Sequence, residues 1–330
     1  MQHDAKNWDA PKTRLTRFAW CVLGYFILVV LWGAVVRATN SGGGCGAHWP
    51  LCNGYVNPLH HPRLATIIEF AHRQSTTVAT GLMLVLAYLT FRATAKQHRA
   101  RKAVLWSLFF LVTEALLGAA LVLRGWVEQN DSIGRVIAQA IHFTNTLLLM
   151  AALTLTASFL SDRRLTEDAP RRSKVPAWIG VLATVVMGAT GALAALADTL
   201  FPSVSLTAAL SEDFASHAPL LVRMRWLHPA AAVLGSCCVL WVVWQRVRAQ
   251  HRWDRLSFAV TGLLAAQFVL GIADVILLAP AWMQLIHLLG ADLYWVALIQ
   301  LSAEAIWPQF RPAAATVDPL TSTPEPAVSH

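Results

Sequence analysis

Apolar residues run almost unbroken through eight stretches of this chain, at about 17–37, 67–91, 103–123, 137–160, 177–197, 224–245, 256–278 and 282–306. Each is close to the roughly 20 residues that an α-helix needs to cross the hydrocarbon of a bilayer. None alternates polar with apolar positions as a barrel strand would, so helices are the only spanning structure the pattern allows. The third stretch is the least uniform, because it carries Glu114. The expected fold is an all-α membrane protein of eight transmembrane helices. They divide into a four-helix bundle over 17–160 and a second over 177–306, joined by a polar linker at 161–176. A polar segment, 1–16, precedes them. The tail at 307–330 is rich in Pro, Ala, Thr and Ser, a composition that predicts disorder.

Composition agrees with that pattern. The chain is 56% hydrophobic and only 13% charged, which is a membrane composition and not that of a soluble core. The net charge of +8 does not describe a nucleic-acid surface, because the basic residues follow alternate connections. Lys6, Lys12, Arg14 and Arg17 precede the first span. Arg92, Lys96, Arg99, Arg101 and Lys102 lie between the second and third. Arg163, Arg164, Arg171, Arg172 and Lys174 lie between the fourth and fifth, and Arg246, Arg248, Arg252 and Arg255 between the sixth and seventh. The positive-inside rule places these loops and both termini in the cytoplasm. The first span lacks a small-residue cleavage site and reads as an uncleaved anchor.

Chemistry enters with four histidines. His72, His142, His228 and His287 each lie near the start of an even-numbered span, hence all toward the outer leaflet. A buried imidazole in lipid is costly without a partner. Facing pairs of such residues are what holds a six-coordinate heme iron, one ring above the macrocycle and one below. His72 with His142 would bracket one heme and His228 with His287 a second. The halves resemble each other at an offset of about 145–156 residues. Gln139-Ala-Ile-His142 matches Gln284-Leu-Ile-His287, Glu114-Ala-Leu-Leu-Gly118 matches Gln267-Phe-Val-Leu-Gly271, and Gly33-Ala matches Gly188-Ala. Four spans per copy make this a parallel, pseudo-symmetric repeat. Arginines border the outer helix ends, and Arg37, Arg73, Arg124, Arg223 and Arg225 are candidate contacts for heme propionates, which a guanidinium fork fits. Snorkelling to the interface is the plainer role for some of them.

The copies also differ. Span 2 reads Glu69-Phe-Ala-His72, whereas span 6 reads Arg225-Trp-Leu-His228. The i, i+3 spacing puts Glu69 on the face of His72, where a carboxylate could accept protons or stabilise positive charge developing on a substrate. A simple partner for Arg73 is the alternative role. The first outer loop, Gly42 to Gly54, carries Cys45 and Cys52. Outside the cytoplasm such a pair reads as bridged, either as a staple or as a redox-active relay. A metal site with His48 is a third reading that no standard spacing supports. Cys21, Cys237 and Cys238 fall inside spans and read as small core residues.

Three segments, Gly33-Ala-Val-Val-Arg37, Trp49-Pro50-Leu51-Cys52-Asn53-Gly54 and Glu69-Phe-Ala-His72-Arg73, resemble the heme A synthases of bacteria and mitochondria, over residues 17–306. The resemblance implies oxidation of the C8 methyl of heme O to a formyl group, giving heme A for cytochrome oxidase. It implies substrate heme between His72 and His142, a resident heme b between His228 and His287, a catalytic Glu69, and a structural or redox disulfide between Cys45 and Cys52. It also implies an upstream heme O synthase, a farnesyltransferase, as partner. The electron partner, a quinone among the candidates, and a homo-oligomeric state stay open. This chain departs from the family pattern in lacking a second Cys pair between spans 5 and 6, and in carrying Glu114 where Gln is usual. A di-heme cytochrome b passing electrons from quinol would also use four histidines, but it predicts equivalent halves. A heme transporter would need only exchangeable ligation.

Overall fold

A computed structural model describes residues 9–56, 63–161 and 174–307. In chain order the helices are α1 (Asp9–Ala38), α2 (Leu64–Ala93), α3 (Arg99–Leu123), α4 (Ile133–Leu160), α5 (Val175–Leu200), α6 (Leu206–Phe214), α7 (Leu220–Arg223), α8 (Leu227–Gln250), α9 (Arg255–Ile276) and α10 (Ala281–Ile306). Eight spans result, with α7 and α8 forming one of them. Among the described residues no β-strand occurs, only an isolated bridge between Cys52 and Tyr55. The segment before Asp9, the linker residues Arg163, Arg164, Arg171 and Arg172, and the tail from Pro308 lie outside the described residues.

Side-chain caps fix the starts of some of these helices. Ser132 and Asp254 accept from the backbone N–H of Arg135 and Ser257 at the starts of α4 and α9, satisfying donors that would otherwise be orphaned. α2 begins at Leu64 without a side-chain cap, which puts His72 about 12 Å along its helix at 1.5 Å per residue.

Helices α1 to α4 pack on one another, as do α5, α8, α9 and α10. The halves nevertheless share one core. α4 packs on α5 and α10, and α1 on α10. A single apolar cluster runs from Val22 and Phe26 through Met150 and Leu153 to Trp295 and Leu298. Across this seam the Trp295 indole donates to Leu147 O at 2.8 Å. A dry N–H would be costly here, so the bond also sets the register between halves.

The outer faces are apolar too. Leu116, Val112, Val269 and Ile272 stay exposed on α3 and α9, as expected where lipid tails are as apolar as leucine. This corrects the expectation for the intramembrane cysteines: Cys21 and Cys237 are exposed on helix surfaces and Cys238 is intermediate. At the end of the molecule opposite the histidines, Arg246 is drawn inward. It donates to Asp254 (2.9 Å) and Glu304 (2.6 Å), tying α8 to the cap of α9 and the end of α10. The same pairing holds the Asp254 carboxyl below its ordinary value despite burial, which acts to raise it.

Candidate functional site: four histidines in two halves

In the second half the chain brings His228 and His287 together. Their ring centroids are 6.3 Å apart, with the planes crossed at 82°. Two metal–nitrogen bonds of about 2 Å plus two imidazole radii of about 1.2 Å sum to roughly the same distance. His228 Nδ1 is 3.2 Å from Met187 O. With Nδ1–H donating there, the lone pair of Nε2 is free for a metal. Small residues make room for both rings: a Cβ on Gly191 would lie 2.9 Å from His228 Cε1, and one on Gly271 3.3 Å from His287 Cε1. Glycine contact with His228 thus comes from Gly191. Gly188, the position matched to Gly33 in the sequence repeat, instead abuts Leu147 and Phe143.

The first half repeats the theme with different surroundings. Gly33 approaches His72, where a Cβ would sit 3.2 Å from Cε1. His72 on α2 and His142 on α4 lie on helices that both pack against α1. The Nδ1 atoms of both are buried without a hydrogen bond, an expensive arrangement for a polar atom unless a bound group orients the ring. Facing His142 Nδ1 at 3.4 Å is Glu114 Oε1. Glu114 is a member of this site that the sequence marked only as an odd carboxylate within a span. The signal that could have found it is the cost of that charge in lipid, which predicts a partner on a neighbouring helix.

Glu69 is buried, 3% exposed. One carboxylate oxygen accepts from Cys45 N at 2.8 Å and the other from Arg73. Arg73 also donates to His48 O (2.8 Å) and Leu51 O (2.6 Å), and Thr66 to Gly44 O (2.7 Å). The loop therefore lies clamped on the start of α2, so close at Gly44 that a Cβ there would collide with Ala65 O. Cys45 and Cys52 are joined as a disulfide inside this loop. Both thiols being used, the reading of a metal held by Cys45, His48 and Cys52 falls. Among the described residues no group of three or more His, Cys, Asp or Glu is arranged to hold a bare ion.

The arginines separate by environment. Arg225, at the position of Glu69 in the other half, is buried and bonds Asp213 (2.7 Å) and Asp198 (3.2 Å), holding down the α6 connection. Opposite charges thus do the same anchoring job in the two halves. Arg37 crosses the seam to Ala195 O (2.7 Å) and Gln284 Oε1 (2.8 Å), one turn before His287. Arg124 stacks on Trp126 at 5.9 Å, and Arg223 is exposed in a cleft with Phe214 and Trp226.

Comparison with known proteins converges on one family. A family model described as cytochrome oxidase assembly protein, COX15-CtaA, matches residues 16–299. The chain is 40% identical over 302 residues to a protoheme IX farnesyltransferase of Thermus thermophilus, covering 89% of this chain and 49% of that protein. It is 28% identical over 261 residues to the heme A synthase of Exiguobacterium sibiricum, covering 77% and 81% of the two chains. With the heme A synthase of Listeria welshimeri it shares 27% over 297 residues, 86% and 93%. The chain spans about half the length of the farnesyltransferase relatives it matches.

Proposed function

This chain belongs to the COX15-CtaA family of cytochrome oxidase assembly proteins, and we propose that it is a heme A synthase, oxidising the C8 methyl of heme O to the formyl group of heme A. The observation that carries the reading is the His228–His287 pair, whose ring centroids lie 6.3 Å apart, with His72 and His142 at the matching sequence positions of the first half. Relatives that bear the name heme A synthase and align along most of their length support the same assignment.

In this proposal the second half, 177–306, holds a resident heme b through His228 and His287, and the first half, 17–160, presents heme O to His72 and His142. The buried, unsatisfied Nδ1 of His72 suits a site where that ring is oriented only when substrate is seated. The resident heme supplies one-electron transfer when bound. The protein does the rest. Gly33, Gly191 and Gly271 leave the rings room to face a macrocycle. The Met187 carbonyl selects the His228 tautomer. Glu69 is the proposed catalytic carboxylate: fixed by Cys45 N–H and Arg73, it presents negative charge in a low-dielectric site beside developing positive charge on the substrate edge. Its bond to Cys45 makes the disulfide loop the roof of that site, whether the disulfide acts as staple or as relay. Arg37 and Arg73, already bonded to protein, could share a propionate only through their remaining N–H donors, whereas Arg223 is exposed.

Both termini face the cytoplasm of a bacterial cell in this reading and the heme pairs lie toward the periplasm. A farnesyltransferase making heme O is the proposed upstream partner. The name of a relative twice as long, half of which this chain covers, supports the link. The asymmetry of Glu69 against Arg225 weighs against a di-heme cytochrome that only passes electrons. The test is chromatography of hemes extracted from membranes that make heme O, with and without this chain. Heme A only in its presence is expected. Heme O left unchanged by a protein that retains its b heme would refute the assignment.

A further inference from the structure

We propose that Glu114 is a positioning residue for His142, its carboxylate dictating which ring nitrogen meets the substrate iron and strengthening that ligand as a donor. The inference rests on the heme A synthase reading and concerns one half only.

The carboxylate is surrounded by donors. Asn145 Nδ2 donates to Glu114 Oε2 at 2.6 Å, and the Thr146 hydroxyl to Oε1. Asn145 cannot turn its oxygen toward Glu114, because that oxygen accepts from Thr113 Oγ1 at 2.7 Å while Nδ2 also donates to Phe110 O at 2.9 Å. Oε1 then has one neighbour left, His142 Nδ1, at 3.4 Å. That is a few tenths of an ångström beyond a normal N–H···O bond, and Nδ1 is buried with no other partner. A carboxylate only accepts. The hydrogen of the neutral imidazole is therefore stabilised on Nδ1, and the lone pair of Nε2 is directed away from α3. This is the carboxylate–histidine–metal arrangement, in which an outer partner fixes the tautomer and raises ligand basicity.

An amide at position 114, usual in the family that the sequence resembles, would not impose the same tautomer. Its single oxygen could serve either Asn145 or His142, and its NH2 would face a donor at the other. The second half shows what an amide does there. Gln267, the matching residue on α9, faces backbone of α10: with its amide turned so that oxygen and nitrogen meet complementary groups, it donates to His287 O at 3.1 Å and accepts from Ala291 N at 3.2 Å. It leaves the His287 ring alone. The two hemes are thus tuned differently, with the more strongly donating ligand in the half that carries Glu69.

The test uses the purified full-length chain titrated with heme O, with its resident heme as internal control. Glu114→Gln should weaken heme O binding about 10-fold or more and raise the midpoint potential of that heme alone, with the resident heme's spectrum and potential unchanged. Asn145→Ala, which loosens the carboxylate without removing it, should shift both in the same direction by less, and decides the matter if Glu114→Gln fails to accumulate. Unaltered affinity and potential in a variant that folds would overturn the proposal. Failure of the wild-type chain to bind heme O through His72 and His142 would instead sink the functional reading beneath it.

Discussion

If His228 and His287 hold the proposed resident heme, Gly191→Ala should remove it while leaving the protein at least as stable. The new methyl would lie 2.9 Å from His228 Cε1 and 3.1 Å from Nδ1, where ordinary contacts begin near 3.4 Å. The ring must therefore retreat by about 0.5 Å, beyond the roughly 0.2 Å tolerance of metal–ligand distances. The retreat also strains the 3.2 Å contact from Nδ1 to Met187 O that selects the tautomer. Removing a helical glycine otherwise favours folding by roughly 0.5–1 kcal/mol, so the two effects have opposite signs and separate cleanly. Absorbance spectra of purified protein should show loss of the low-spin b-type signal, and thermal unfolding of heme-free protein an unchanged or higher midpoint. Gly262→Ala, with nothing within 4 Å of the added atom, is the control and should keep full heme. A normal low-spin spectrum at full heme stoichiometry in Gly191→Ala would refute the account of this site.

Replacing His228 or His287 with Ala should abolish the same low-spin spectrum, since in the proposed function each is one of two axial ligands; survival of the signal in both variants would disprove the pairing. Glu69→Gln should insert, keep the resident heme and bind heme O, yet accumulate heme O or its alcohol in place of heme A in acid–acetone extracts, and a wild-type yield would reduce Glu69 to an anchor of the loop. Changing both Cys45 and Cys52 to Ser opens a short loop whose closure contributes on the order of 2–3 kcal/mol or less, with the backbone bonds to Glu69 and Arg73 still in place. A relay predicts normal protein and heme with little product, a staple predicts loss of both, and full activity would eliminate each role.

The eight spans were legible because crossing a bilayer imposes a local requirement, about 20 apolar residues with few charges. The four histidines stood out for a related reason, the cost of a polar ring in lipid. Glu69 could be placed on the His72 face from helical spacing alone, and the family from short segments around it. Contacts between helices could not be read this way. Lipid-facing and core-facing positions are both apolar in such helices, so hydropathy does not say which way a residue points, and Cys21 and Cys237, expected in the core, lie on the outside. Only the packed structure set the rotation and register that bring Glu114 to His142, Gly191 to His228 and Arg37 across the seam to Gln284. Those pairings depend on how far each helix slides and turns against its neighbours, a property of close packing that no single stretch of sequence contains.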